Sequence, residues 1–240
     1  MENPLVEAVD ALVIGAGPAG LMAAEELALA GRRVVVCDAM ATPARKFLMA
    51  GKSGLNVTKD QEIGAFTGVY GCAGIAPMLA EFGPLEVMDW CRGLGQDVFV
   101  GSSGRVFPKV MKASPLVRAW LGRLGSLGVE LRTRWRWVGF ESGFRFQVSD
   151  SVRILAPRVT VLALGGASWA RLGSDGTWVP WLVEKGVHVQ GFKPANMGFV
   201  VDWSMYMTRF FGQPVKGAAL CIGGRRERGE FVISSKGLEG

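Results

Sequence analysis

The chain has 240 residues, of which 49% are hydrophobic and 20% are charged. This composition is typical of a globular protein with a sizeable core, arranged as one large domain or as one domain with part of a second. Four cysteines without CxxC spacing, together with one histidine, exclude a zinc site of the usual kind. We therefore expect no metal site and interpret the cysteines as free, buried thiols.

The N-terminal segment argues against secretion and against a membrane anchor. It carries Glu2, Glu7 and Asp10 but no basic residue, which is the reverse of a secretory signal. The longest uncharged stretch there, residues 11–24, is too short to span a bilayer and contains four Gly or Pro residues. A cytoplasmic protein with no membrane partner is predicted.

The first predicted elements form a βαβ unit. Residues 11–14 form an apolar run typical of a strand buried on both faces. Residues 21–30 predict a helix that ends at Gly31, and residues 34–37 predict a second buried strand that ends at Asp38. Such a crossover places the two strands parallel in one sheet.

A GxGxxG motif joins this strand to this helix: Gly15, Ala16, Gly17, Pro18, Ala19 and Gly20. The first glycine permits a tight turn, the second lets the backbone approach a pyrophosphate, and the third lets the helix pack closely on the sheet. The phosphates are expected at the positive end of the helix. Asp38 lies eighteen residues after Gly20, where its carboxylate can accept the ribose hydroxyls and would repel the 2′-phosphate of NADP.

The motif spacing does not separate FAD from NAD, but three other features favour FAD. The motif lies close to the start of the chain, and the loop after the second strand is long and contains glycines. A third apolar strand, residues 159–164, ends in Gly165 and Gly166, where backbone can lie against an extended ligand.

The loop at residues 45–58 admits two interpretations. Gly51, Lys52 and Ser53 imitate the end of a Walker A loop, but Lys46 occupies the position that requires glycine and no buried strand precedes the loop. We interpret it instead as a cationic loop near the cofactor's phosphates or the flavin ring, with Lys46, Lys52, Ser53 and Asn56 as donors. These four donors, together with Ala39 and Gly51, complete the predicted cofactor-binding set.

The rest of the chain predicts further helices and strands. Helices are expected at residues 75–82, at residues 85–94 and after Ser114 as N-cap. Residues 129–138 alternate in polarity and predict one strand that pairs with residues 144–148. From about Gly191 the helical pattern disappears. We therefore predict an FAD-binding domain at residues 1–190 and the incomplete beginning of a β-rich domain at residues 191–240.

The net charge of +6 is concentrated between residues 101 and 140, where eight basic residues face a single acid. The basic residues are Arg105, Lys109, Lys112, Arg118, Arg123, Arg132, Arg134 and Arg136, and the acid is Glu130. A basic face attracts nucleic acid, an anionic substrate or an anionic cofactor, and it is also an ordinary solvated surface. We expect a small-molecule substrate, with an anion as one class, rather than nucleic acid.

Three single residues are weaker candidates. Arg105 is a candidate for binding an anion. Asp175 is expected to cap the following helix, with a role beside the flavin as the alternative. His188 is expected to be a strand residue rather than a general base. No residue stands out as the catalytic acid or base.

Four strings in the same order resemble bacterial flavoproteins of the aminoacetone-oxidase, or BaiN (YhiN)-like, family: residues 15–21, 46–58, 104–108 and 163–169. The resemblance implies non-covalent FAD, a glutathione-reductase-like flavin domain and an inserted β-rich domain that begins near Gly191. Many members have Ser-Gly-Gly-Gly-Arg-Cys-Asn where this chain has residues 50–56, and members are longer, so the chain resembles a truncated member of a distinct subfamily.

The sequence therefore predicts an α/β, Rossmann-like flavoprotein oxidoreductase. FAD would take a hydride or two electrons from an unknown small substrate, or give them to it. The alternatives are an NAD-dependent dehydrogenase, a flavoprotein that binds nucleic acid through residues 101–140, and a truncated flavoprotein without activity.

Overall fold

A computed structural model describes residues 6–51, 54–194 and 197–239. The chain divides into two compact units, Met1–Val189 and Gln190–Gly240, which are described separately. Among the described helices, none is long and apolar enough to cross a membrane.

The first unit contains nine strands and seven α-helices among its described residues. Its strands are β1 (Val6–Ile14), β2 (Val34–Asp38), β3 (Thr58–Lys59), β4 (Val98–Val100), β5 (Arg105–Pro108), β6 (Glu130–Thr133), β7 (Arg136–Phe140), β8 (Phe144–Val148) and β9 (Ser151–Leu162). Its helices are α1 (Pro18–Leu29), α2 (Arg45–Ala50), α3 (Ile63–Thr67), α4 (Ala76–Glu81), α5 (Pro84–Gly93), α6 (Ala113–Ser126) and α7 (Val179–Glu184). Short 3₁₀ helices cover Ala73–Ile75 and Ala170–Leu172.

The main sheet has the strand order β6-β2-β1-β9-β8-β7. The first four strands of this order are parallel, whereas β8 pairs antiparallel with both β9 and β7. The long strand β9 belongs to both parts, because residues 151–155 pair with β8 while residues 154–162 pair with β1. A parallel sheet entered through a βαβ unit confirms the predicted Rossmann-like α/β class. A separate three-stranded sheet has the order β3-β5-β4.

Apolar cores cover both faces of the parallel strands, as the uninterrupted hydrophobic runs predict. Alternate residues of β1 and β2 pack toward α1, α5 and α6: Ala11, Val13, Val34 and Val36. Their neighbours along the strands, Leu12, Ile14, Val35 and Cys37, pack against the antiparallel part through Trp137, Phe146 and Leu155. This two-sided burial fixes β1 and β2 in the centre of the unit, with the loop between β1 and α1 at their carboxyl ends.

The prediction of a single strand at residues 129–138 is wrong. The chain instead forms β6, which lies parallel to β2, and then β7, which pairs with β8. Between them Arg134 has a φ of +60°, and its N–H bonds to the carbonyl oxygen of Met40 at 3.1 Å. An alternation of polar and apolar residues reports which face is buried but not which strand is the partner, so the sequence pattern hides this break.

Several smaller predictions also need correction. Helix α6 begins at Ala113 with Lys112 as its N-cap, so Ser114 lies inside the helix. Helix α7 begins at Val179, too far from Asp175 for that residue to cap it. His188 lies in an exposed irregular segment rather than in a strand. All four cysteines are free, but only Cys37 and Cys91 are buried, whereas Cys72 and Cys221 are exposed.

The second unit contains a four-stranded antiparallel sheet. Its strands are β10 (Phe199–Val200), β11 (Pro214–Ile222), β12 (Arg225–Ser234) and β13 (Gly237–Glu239), in the order β10-β13-β12-β11. A 3₁₀ helix covers Met205–Phe210. The hairpin formed by β11 and β12 accounts for most of the sheet.

Candidate functional site

Close packing requires glycine at two positions of the GxGxxG motif, one in the loop between β1 and α1 and one in the first turn of α1, whereas the motif's middle glycine leaves open space. Gly15 has a φ of +106°, and a Cβ atom there would lie 2.3 Å from the carbonyl oxygen of Ala163. A Cβ atom at Gly20 would lie 1.8 Å from the carbonyl oxygen of Gly15. No atom lies within 4 Å of the position that a Cβ atom at Gly17 would take. A ligand can therefore approach the backbone at Gly17, directly before the first residue of α1.

The carboxylate of Asp38 joins the end of β2 to this loop. Its Oδ2 accepts a hydrogen bond from the N–H of Ala16 at 2.6 Å, and its Oδ1 accepts one from the N–H of Met40 at 2.7 Å. Each carboxylate oxygen can accept more than one hydrogen bond. The side chain can thus hold the loop in place and still accept ligand hydroxyls.

These elements border a cleft of about 540 Å³. Eight of the predicted residues line it: Gly15, Ala16, Gly17, Pro18, Ala19, Asp38, Lys46 and Gly165. Twelve residues outside the predicted set line it too: Met40, Thr42, Ala44, Arg45, Leu162, Ala163, Leu164, Leu172, Gly173, Ser174, Trp178 and Leu182. The cleft therefore has a polar wall formed by the glycine loop and α2, and a largely apolar wall formed by residues from β9 to α7.

Gly165 and the buried Ser174 form part of the cleft wall after β9. Gly165 has a φ of +68°, and a Cβ atom there would lie 3.1 Å from the Ser174 Oγ. The Ser174 hydroxyl donates a hydrogen bond to the carbonyl oxygen of Gly166 at 3.0 Å. From the other wall, Lys46 donates a hydrogen bond through its Nζ to the Ser168 hydroxyl. This contact joins α2 to the segment after β9.

The other predicted cofactor residues do not line this cleft. Gly51 is buried against α6, where a Cβ atom would lie 2.6 Å from the Cβ of Ala113, and Asn56 is exposed. Ala39 lines a small cavity of about 80 Å³ that adjoins the cleft and shares Gly15 and Asp38 with it. Gly20 and Gly166 contact residues that line the cleft: Gly20 packs against Gly15, and the carbonyl oxygen of Gly166 accepts the hydrogen bond from Ser174. Lys52 and Ser53 lie outside the described residues.

The remaining single candidates lie elsewhere, and no described group of His, Cys, Asp and Glu side chains is arranged to hold a metal ion. Arg105 is exposed at the start of β5. Asp175 accepts hydrogen bonds from Thr177 and pairs with Arg136 at 3.4 Å. Burial raises the pKa of Asp175, but the Thr177 hydrogen bonds and the charge of Arg136 outweigh burial and hold this pKa below its ordinary value.

Half of the eight basic residues at positions 101–140 form described ion pairs: Lys109, Arg123, Arg132 and Arg136. Arg123 pairs with the buried Glu25 at 2.8 Å. Arg132 donates to both carboxylate oxygens of Glu7, at 2.8 and 2.6 Å, and also contacts Glu130. Lys109 pairs with Asp97 at 3.0 Å. These cations are engaged with acids on different elements.

For one of the cleft residues that the sequence analysis did not select, the sequence does contain a signal. Arg45 stands next to Lys46 in a basic pair, so the cationic loop could have pointed to it. Ser174, Trp178 and Leu182 reach the cleft from a segment more than a hundred residues away from the glycine motif, and no spacing rule connects them to it.

Solved structures with related folds include a variant of E. coli quinol fumarate reductase FrdA, which is 13% identical with a TM-score of 0.53, the alignment covering 68% of this chain and 33% of that protein. The Mycobacterium smegmatis Sdh1 complex is 18% identical over 68% of this chain and 35% of that one, with a TM-score of 0.49. Thermovibrio ammonificans THI4 is 17% identical over 75% of this chain and 64% of that one, with a TM-score of 0.47. The chain thus spans less than two thirds of each protein.

The first of these likenesses supports the Rossmann-like fold read from the sheet order and the glycine loop. The model of the family described as HI0933-like protein Rossmann domain matches residues 9–224, which is most of the chain. The chain belongs to this HI0933-like Rossmann domain family.

Proposed function

We propose that the chain is an FAD-binding flavoprotein oxidoreductase, with FAD in the cleft beside the glycine loop. The observation that carries the proposal is the bond between Asp38 and Ala16, which brings a ribose-binding carboxylate and a phosphate-binding loop to one cleft. FrdA, whose fold is related, is named as a quinol fumarate reductase, and this agrees with an oxidoreductase function for the present chain.

The residues present fit a dinucleotide. The open space at Gly17 leaves room for a diphosphate at the N-terminus of the twelve-residue helix α1. Asp38 would accept hydrogen bonds from ribose hydroxyls, Lys46 would contribute positive charge, and Gly165 would let backbone lie against the ligand. When bound, FAD supplies the chemistry of hydride or two-electron transfer.

The chain's own part is to bind, to orient and to exclude water. The apolar wall, with Leu162, Leu164 and Leu172, removes water from one side of the cleft. The substrate in this proposal is a small molecule, with an anion as one class. No described residue of the cleft is assigned as the acid or base.

Three finer assignments belong to the same proposal. The chain would be a member of the aminoacetone-oxidase or BaiN (YhiN)-like group, as the four motif strings suggest. Residues 191–240 would belong to an inserted β-rich domain, which the antiparallel sheet of the second unit supports. A cytoplasmic location is supported by the free, buried thiols of Cys37 and Cys91.

The test is the visible spectrum of the purified protein, followed by release and identification of its cofactor. A yellow protein that yields FAD supports the proposal. A folded, colourless protein that cannot be loaded with FAD would refute it, and binding of NADH by that protein would identify the dehydrogenase alternative.

A pair of glycine variants locates the cofactor. Gly17→Val should fold normally, because its Cβ meets no atom, yet it should lose FAD, because the side chain fills the approach to the backbone. Gly20→Ala should instead reduce folding stability, since its Cβ would collide with the Gly15 carbonyl. If Gly17→Val retains FAD, the diphosphate does not lie at this glycine.

A further inference from the structure

One guanidinium nitrogen in the cleft has no partner among the residues that the structure describes. Arg45 lines the cleft together with the glycine loop. Its Nε is buried from solvent and has no hydrogen-bond partner in the described parts of the chain. The described ion pairs include none with Arg45. Buried donors of this kind are normally bonded, because desolvation without a partner costs free energy of folding.

Asp38 supplies the carboxylate of the same cleft, but no described ion pair or hydrogen bond joins it to Arg45. The described partners of its two oxygens are the N–H groups of Ala16 and Met40. Lys46, the neighbouring cation, donates to the Ser168 hydroxyl on the opposite wall. The two adjacent cations therefore differ: Lys46 has a partner in the protein, whereas the buried Nε of Arg45 has none within residues 6–51, 54–194 and 197–239.

The backbone before Arg45 is tied directly to the glycine loop. Ala44 is buried and has a φ of +53°, a left-handed conformation that is uncommon for a residue with a Cβ atom. Its N–H bonds to the carbonyl oxygen of Ala16 at 2.8 Å. This strained turn keeps the start of α2 beside the loop, and such strain is typical of ligand-binding sites.

We infer that Arg45 binds the diphosphate of the dinucleotide and completes the site that the glycine loop begins. The inference rests on the proposed function, but the diphosphate is common to FAD, NAD and ADP. A guanidinium offers several N–H donors in one plane, which match phosphate oxygens in a two-pronged arrangement. A bound diphosphate would supply both the missing acceptor and the missing negative charge.

The experiment compares Arg45→Gln with Arg118→Gln, which removes the same charge from an exposed arginine of α6. Affinities for FAD are measured by quenching of flavin fluorescence, and those for ADP and adenosine by calorimetric titration. We expect Arg45→Gln to weaken FAD and ADP binding by roughly 10- to 100-fold, the loss of a charge-assisted hydrogen bond. Adenosine binding should not change, and Arg45→Lys should lie between Gln and wild type.

Thermal unfolding of the cofactor-free protein separates ligand binding from a structural role. Because Arg45 Nε has no described partner in the protein, Arg45→Gln should leave the melting temperature unchanged or raise it. The stabilisation of this variant by added FAD should shrink. A lower melting temperature without ligand, combined with equal losses for ADP and adenosine, would show a structural role and overturn the inference.

The two proposals fail in different ways. A wild-type protein that binds FAD, together with an Arg45→Gln variant that binds it equally tightly, overturns the inference about Arg45 alone. A wild-type protein that binds neither FAD nor ADP overturns the proposed function and the inference with it.

Discussion

The backbone N–H of Ala16 donates a hydrogen bond of 2.6 Å to the carboxylate of Asp38. The bond connects residues 22 positions apart, one in the glycine loop and one at the end of β2. The carboxylate usually assigned to ribose thus also determines the shape of the loop. It follows that removing Asp38 should affect both the fold and the ligand site.

Asp38→Ala should lose about 1–3 kcal/mol of folding stability, because the Ala16 and Met40 amides lose a charged acceptor. FAD affinity should fall as well. Urea unfolding and flavin titration measure the two effects, with Asp60→Ala at an exposed acid as the control. Unchanged stability would show that the loop does not depend on this carboxylate.

Glu25 is a buried acid on α1, 3% exposed, that connects this helix to α5 and α6. It accepts hydrogen bonds from Trp120 Nε1 at 2.5 Å and from Trp90 Nε1 at 3.4 Å, and it pairs with Arg123. Glu25→Ala should cost about 3–5 kcal/mol, because it leaves a cation, the buried Trp120 donor and the partly buried Trp90 donor without their acceptor. Urea unfolding measures the loss.

Glu26→Ala is the matched control for this prediction, since its side chain is exposed on the same helix. It should change stability by only a few tenths of a kcal/mol. Equal effects of the two variants would contradict the structural role assigned to Glu25.

The cysteines should separate into two classes in a thiol-labelling experiment. Burial raises the pKa of Cys37 to about 12 and that of Cys91 to about 11, so neither forms an accessible thiolate near neutral pH. Cys72 and Cys221 are exposed. Mass spectrometry after brief alkylation of the native protein should find label on the exposed pair only, and on all four cysteines after unfolding. Label on native Cys37 would contradict the core packing.

Acid should remove the contribution of the Glu7–Arg132 pair. The hydrogen bond from Arg132 holds the pKa of Glu7 below its ordinary 4.5. A carboxyl with a lowered folded pKa stabilises the protein above its unfolded pKa, and this contribution is lost as the pH falls through the folded value. Glu7→Gln should therefore be less stable than wild type near pH 7, and the difference should shrink as the pH falls below 4.5 and disappear once it lies below the lowered folded pKa of Glu7.

Urea unfolding at several pH values provides the measurement. Glu81→Gln, at an exposed acid without an ion pair among those described, should show no such dependence. A difference between Glu7→Gln and wild type that persists at the lowest pH would mean that the pair acts through packing rather than charge.

Local patterns predicted most of the βαβ unit correctly. The strand before the glycine motif, the helix after it and the acid at the end of β2 all lie where their residues suggested, because a buried parallel strand and a phosphate-binding turn each have a short, specific pattern. The error at residues 129–138 has an equally physical cause. Both β6 and β7 carry alternating residues, and alternation does not identify the partner strand.

The sequence alone determined the fold class and one wall of the cleft. The reason is that the roles of Gly15, Gly17 and Gly20 depend on backbone conformation and contacts within a short segment of the chain. Only the tertiary structure decided the opposite wall, where Ser174 and Trp178 arrive from a distant segment. It also removed Gly51 from the cleft and placed Arg45 there, because which of several neighbouring loop residues faces a ligand depends on packing against α6 and on the turn at Ala44.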